Sequence, residues 1–313
     1  MAEKILVALG GNTMIQSGQR GSVEQQAANL RKSLAGVAEL IGNGHHLVIT
    51  HGNGPQVGHI LIRAEAGREK AYDLPLHICV AQSQGEIGYL IGQCLRELMS
   101  RNGIAREVSP LLTCTVVDQN DPMMRSPTKP IGPFYTDEEA LRLRERGVDI
   151  VEDAHRGYRR IVPSPAPVRI IEADIIRRLF NNGVIVIAAG GGGIPVSVEQ
   201  DGSMAGVDAV VDKDFASSLL ARAIGVEKIL DLTAVANVKL NFGSAEEKDI
   251  LHMTAAEAKK YLSEGHFAPG SMAPKIEAAI QFLEGGGREV IITLPEKVLD
   301  AFQGKAGTHI YPA

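Results

Sequence analysis

Three short apolar runs, each ending in a glycine-rich turn, set what this chain can fold into. Lys4 to Leu9 (KILVAL) runs into Gly10-Gly11-Asn12, and His46 to Thr50 (HLVIT) into His51-Gly52-Asn53-Gly54. Val184 to Ala189 (VIVIAA) runs into Gly190 to Gly193. A short, fully apolar, β-branched run reads as a strand buried on both faces, the signature of a parallel sheet. Glycine directly after such a strand lets backbone approach a ligand closely and turn N–H groups toward one anion. Any α/β protein has some glycine at its strand-to-helix turns. Three such turns, one with four consecutive glycines, point to a phosphate-like polyanion.

Helical signals alternate with these strands. Ser22 and Gln25 have capping-box spacing, and Ala27, Leu30, Leu34, Val37 and Ile41 form one apolar stripe that Gly42-Asn43-Gly44 ends. Val57, Ile60, Leu61 and Ala64 mark the helix after the second turn, and a longer helix is expected from Val80 to Asn102. Val108 to Val117 then reads as one strand. Later come a helix from Ile171 to Asn182, a hairpin tip at Gln200-Asp201-Gly202 and a helix from Asp214 to Ile224. The strand Lys228 to Thr233, a second capping box at Thr254 and Glu257, and the strand Glu289 to Thr293 complete the alternation. Residues 118–167 break the rhythm with seven of the chain's 15 prolines and the basic residues Arg156, Arg159 and Arg160. That segment reads as an inserted subdomain, with the arginines as surface charge.

Composition excludes several classes. A net charge of −5 argues against a nucleic-acid surface, and no apolar run reaches the roughly 20 residues of a membrane span. Cys79, Cys94 and Cys114 have no C-x-x-C spacing and read as buried free thiols of a cytoplasmic protein. The nine histidines form no ligand cluster, so no protein-built metal site is expected. His51 reads as a backbone-bonded residue at a strand end. Neither a Walker motif nor a complete G-x-G-x-x-G occurs.

Phosphoryl chemistry needs cations as well as N–H donors. Lys213, in Val211-Asp212-Lys213-Asp214, sits at a turn into a helix between two carboxylates. Lys275 follows Gly270 to Pro274 into the first turn of another helix, where the dipole favours an anion. Lys129, in Pro127-Thr128-Lys129-Pro130, reads as a proline-braced tip whose part is open on these grounds alone.

The motifs VALGGN (7–12), THGNGPQVG (50–58), PTKPIGPFY (127–135), VPSPAP (162–167), AGGGGIPV (189–196), VVDKDFAS (210–217) and EGHFAPGSMAPKIEAAI (264–280) are similar to those of carbamate kinases, along essentially the full length. Most of the wider amino acid kinase group carries a lysine just ahead of the first glycine pair. This chain has Ala8-Leu9 there, as carbamate kinases do. The resemblance implies a three-layer αβα sandwich around a mainly parallel open sheet. Residues 1–313 would be a single domain, with 118–167 a protruding lid, 1–183 the acceptor half and 184–313 the nucleotide half. It implies a homodimer that transfers phosphate reversibly between ATP and carbamate, with Mg2+ on the nucleotide phosphates. The family expectation is ATP synthesis from carbamoyl phosphate in arginine or related fermentation.

Carried over by position, Gly10, Gly11, Asn12, Gly52 and Asn53 would cradle carbamate and the moving phosphoryl group. Lys213 and Lys275 would hold nucleotide phosphates, Asp214 would place both lysines, and Lys129 would approach from the lid. Gly191, Gly192, Thr233 and Met272 would border the nucleotide. One stretch departs from the pattern: many members read LTDVD where this chain has Leu232-Thr233-Ala234-Val235-Ala236. The alternatives are a same-fold kinase for another acceptor, or a non-catalytic nucleotide-binding paralogue.

Overall fold

The computed structural model describes residues 2–312 apart from 17 and 153–156, and all of Asn12 but its side chain. Eight strands form the central sheet, in the order His252–Thr254, Thr308–Tyr311, Glu289–Thr293, Lys228–Leu232, Lys4–Leu9, His46–His51, Ile185–Ile187 and Val108–Pro110. Every neighbouring pair is parallel except Glu289–Thr293 with Thr308–Tyr311. This is the open, mainly parallel αβα sandwich that the alternation of strands and helices implies.

The apolar runs are buried on both faces because successive side chains point opposite ways. Ile5, Val7 and Leu9 enter one core with the helices Val23–Ser33, Ala35–Gly42 and Leu76–Arg101. Leu6 and Ala8 enter the other, beneath the helices Ala173–Asn181, Lys213–Ile224, Ala255–Ser263 and Met272–Glu284. Both expected capping boxes form, at Ser22 with Gln25 and at Thr254 with Glu257.

Several elements differ from expectation. The first apolar stripe spans two abutting helices that meet at Leu34. The long helix begins at Leu76, with Pro75 as its N-cap. Val108 to Val117 is not one strand: Val108–Pro110 ends the central sheet, and Cys114–Val117 pairs with Ile194–Val198 in a separate four-stranded sheet. Gln84 explains the break. Its amide receives the Thr113 N–H at 2.9 Å and donates to Thr113 O at 3.0 Å, pulling that residue out of the ladder. Lys129–Tyr135, Tyr158–Val162 and Ile150–Glu152 form a third sheet, accompanied by the helix Asp137–Glu145. Lys129 therefore opens a strand rather than a loop tip. Cys79 and Cys94 are buried free thiols as expected, whereas Cys114 is only half-buried. Among the described residues no helix is long and apolar enough to cross a membrane.

A buried pair far from the glycine turns has a pH consequence. His309 Nδ1 lies 2.7 Å from Glu289 Oε1 and its Nε2 lies 3.0 Å from Ala306 O, so both ring nitrogens face acceptors and the imidazolium is favoured. The hydrogen bond to Glu289 holds the His309 pKa above 6.5 against burial. Burial opposes ionisation of Glu289, but His309 and Lys228 bring it to about 2. The raised histidine stabilises fully below the unfolded value and ceases to as pH rises through the folded one. Glu289 contributes above its unfolded value and is lost as pH falls toward about 2. Between about pH 6 and pH 9 the urea midpoint should fall more steeply for wild type than for His309→Gln. Equal slopes would remove this pair from the pH dependence.

Candidate functional site

The central strands end their carboxyl edges together, in register Leu9 with His51 and Leu9 with Leu232. Their turns then stack. Gly10 N–H donates to Leu232 O and Gly52 N–H to Leu9 O, each at 2.9 Å. A Cβ on Gly10 would stand 2.9 Å from Leu232 O, and one on Gly52 would stand 3.4 Å from Gly11 N. Gly10 is thus required for close backbone approach, whereas a Cβ on Gly52 would make only ordinary contact, and the N–H groups of both are already committed. Gly11 and Asn12 follow in a short 3-10 turn. The Asn12 side chain lies outside the described residues.

The four-glycine turn fits between the second turn and the Lys213 helix. A Cβ on Gly191 would meet the Asn53 amide at 2.1 Å, and one on Gly192 would meet Val211 O at 2.2 Å. Both residues also have positive φ, 62° and 88°. Their glycine identity is therefore accounted for by packing and backbone conformation. Asn53, 3% exposed, donates to Ser83 Oγ at 2.9 Å. His51 is buried between the turns, with Nδ1 3.0 Å from Gly52 O. Burial first, then Lys213 nearby, lowers its pKa to about 4 against that hydrogen bond, so it stays neutral.

The charged centre sits beside these turns. Asp212 N-caps the helix Lys213–Ile224, accepting the Asp214 N–H at 2.8 Å. Lys213 Nζ donates to Asp214 Oδ1 at 2.5 Å and to Asp231 Oδ1 at 3.2 Å. Lys275, in the first turn of Met272–Glu284, donates to both Asp214 oxygens at 3.2 Å and to Asp231 Oδ2 at 2.7 Å. Two ammoniums and two carboxylates close a charge-balanced quartet. Burial opposes ionisation of Asp214, but Lys213 and Lys275 outweigh it and hold the carboxyl well below the usual range. Burial likewise opposes charging of Lys275, and Asp214 with Asp231 holds it above the usual lysine range.

Asp231 is the site residue that sequence reading missed. It lies in the strand Lys228–Leu232, with Ile229 on the face covered by the Lys213 and Lys275 helices. A lone acid inside the run KILDL was its signal. Thr233 follows that strand, its N–H donating to Thr293 O at 2.9 Å, and Met272 begins the Lys275 helix. Among the described residues no three His, Cys, Asp or Glu side chains converge as a metal site.

Lys129 reaches the centre from the third sheet, its Nζ ion-paired with Asp212 Oδ2. That sheet seats on the helix Gly54–Gly67, where a Cβ on Gly58 would stand 1.9 Å from Gly132 Cα. Two of the three arginines are not simple surface charge. Arg160 pairs with Glu65 at 2.7 Å, and Arg159 Nε donates to Gly132 O at 3.2 Å. Arg156 lies outside the described residues. Because backbone meets backbone at Gly58, Gly58→Ala should displace the inserted sheet and destabilise the fold by about 2 kcal/mol. Thermal unfolding checks this, and a wild-type Tm would refute the contact.

Residues 3–294 match the amino acid kinase family. A carbamate kinase from Pyrococcus furiosus is 46% identical over 100% of both chains. The carbamate kinase-like protein YahI of Escherichia coli is 46% identical over 99% of each. A solved carbamate kinase from Giardia lamblia bound to AMP-PNP superposes with a TM-score of 0.91 at 38% identity, covering 100% of this chain and 99% of the other. With family match, full-length relatives and fold in agreement, the chain belongs to the amino acid kinase family, among its carbamate kinases.

Proposed function

We propose that this enzyme transfers a phosphoryl group reversibly between ATP and carbamate, giving ADP and carbamoyl phosphate. The observation that carries the reading is the lysine-carboxylate quartet beside the stacked glycine turns. Phosphoryl transfer is mainly positioning and charge stabilisation, and carbamate is already an anion that needs no general base. His51 fits this requirement, since its pKa of about 4 leaves it a poor base.

In this reading Gly10, Gly11, Asn12, Gly52 and Asn53 border carbamate and the phosphoryl in transit. Lys213 and Lys275 neutralise the nucleotide phosphates, Asp214 places both, and Lys129 adds a cation from the inserted sheet. Gly191, Gly192, Thr233 and Met272 border the nucleotide. Magnesium, carried by phosphate oxygens and water, would supply further charge neutralisation when bound. We further infer a cytoplasmic homodimer with 118–167 as its lid, acceptor and nucleotide halves meeting near residue 183, working toward ATP in arginine or related fermentation.

Ala234 and Ala236, together with the similarity to a protein named only as carbamate kinase-like, keep a shifted-acceptor or non-catalytic paralogue as the second reading. ATP formation from ADP, magnesium and carbamoyl phosphate should proceed at roughly 10 turnovers per second or faster. Acetyl phosphate should serve poorly. A folded protein that binds nucleotide but turns over neither donor would favour the second reading.

A further inference from the structure

Asp212 uses its two carboxylate oxygens for different purposes. Oδ1 accepts the Asp214 N–H and caps the Lys213 helix. Oδ2 receives the Lys129 ammonium from a separate sheet, 83 residues away in sequence. A cap needs one side-chain oxygen, which Asn supplies as well as Asp. The ion pair is what calls for a carboxylate. Exposed pairs usually contribute little, but the Asp212 side chain is only 12% exposed, so its charge is poorly screened.

We propose that Asp212 is a positioning residue that docks the inserted sheet on the nucleotide side of the site. The described contacts of that sheet with Gly58 and Glu65 run to the helix Gly54–Gly67, which starts from the second glycine turn. Ile131 and Val162 of the sheet also pack with Val210, whose N–H donates to Pro163 O at 3.0 Å, and the pair with Asp212 is the sheet's ionic tie to the head of the Lys213 helix. The sheet thereby bridges the helix Gly54–Gly67 and the head of the Lys213 helix, and its one lysine is held at the residue that precedes Lys213. Docking restricts a long, flexible side chain before substrate arrives, so less ordering remains when the phosphoryl group competes for the ammonium. Loss of the Asp212 charge should leave the sheet seated on Gly54–Gly67 and free Lys129 from its guide.

The kinetic part of this inference rests on the phosphoryl-transfer reading, whereas the docking part does not. Asp212→Asn keeps the cap and removes the charge. Amide exchange across 129–135 should quicken about fivefold, with exchange across 213–224 unchanged. Lys129→Met should quicken the same amides from the other side of the pair. The kcat for ATP formation should fall about tenfold in Asp212→Asn, with the ADP KM altered less than about twofold. In a Lys129→Met background, Asp212→Asn should cost nothing more. Unchanged exchange across 129–135 in both variants would overturn the docking, as would a kcat loss that adds in full to that of Lys129→Met. Quickened exchange in a protein with no turnover would uphold the docking and retire the reaction.

Discussion

Lys213→Ala should lower turnover by about 10³-fold while leaving a folded protein. In the quartet, Lys213 and Lys275 balance Asp214 and Asp231. Removing Lys213 leaves two carboxylates facing one ammonium, and a polyphosphate must then approach a site of net negative charge. The nucleotide KM should therefore rise as kcat falls. The Asp214 and Asp231 carboxylates keep Lys275 as partner, so the loss of stability should stay near 3 kcal/mol, below what unfolds a domain of this size. Lys213→Arg should not restore the rate. A guanidinium is longer and planar, and the space at 2.5 Å from Asp214 and 3.2 Å from Asp231 suits a compact ammonium. Initial rates of ATP formation, read beside near-ultraviolet dichroism, decide the matter. A loss under about tenfold would show that Lys213 is not the principal cation.

The sheet was legible because its strands report burial on both faces directly. KILVAL can satisfy two cores only in the interior of a parallel sheet, and EVIIT keeps the same bounds in the fold as in the sequence. Lys213, Asp214 and Lys275 were legible because each sits in an unusual turn at the head of a helix. The break at Thr113 was not, since it depends on the Gln84 side chain reaching from another element. Lys129 was readable only through resemblance, because its partner Asp212 is remote in sequence. The four glycines were read as possible anion donors, yet space accounts for them: His51, Asn53, Val211 and Thr115 occupy the positions where their Cβ atoms would be. Local sequence reveals a glycine but not the neighbour that demands it.

Asp231→Asn should act on the nucleotide in the opposite direction from Lys213→Ala. Asp231 is 5% exposed and lies against both lysines, so its neutralisation leaves a buried excess of positive charge. Breaking a buried ionic set from one side costs about 3 kcal/mol in the free protein. The same excess favours a polyphosphate, which supplies the negative charge the mutation removed. ATP or ADP should bind about tenfold more tightly, so saturating nucleotide should close about 1.4 kcal/mol of the stability gap. Turnover should fall nonetheless, because tighter ground-state binding does not lower the barrier and two less-confined ammoniums meet the phosphoryl less accurately. Urea unfolding with and without nucleotide, together with calorimetric affinity, separates these effects. If Asp231→Asn weakened nucleotide as Lys213→Ala does, Asp231 would be needed to place the lysines and would not compete with phosphate for them. The quartet would then be a scaffold that substrate joins, rather than a closed ring that substrate opens.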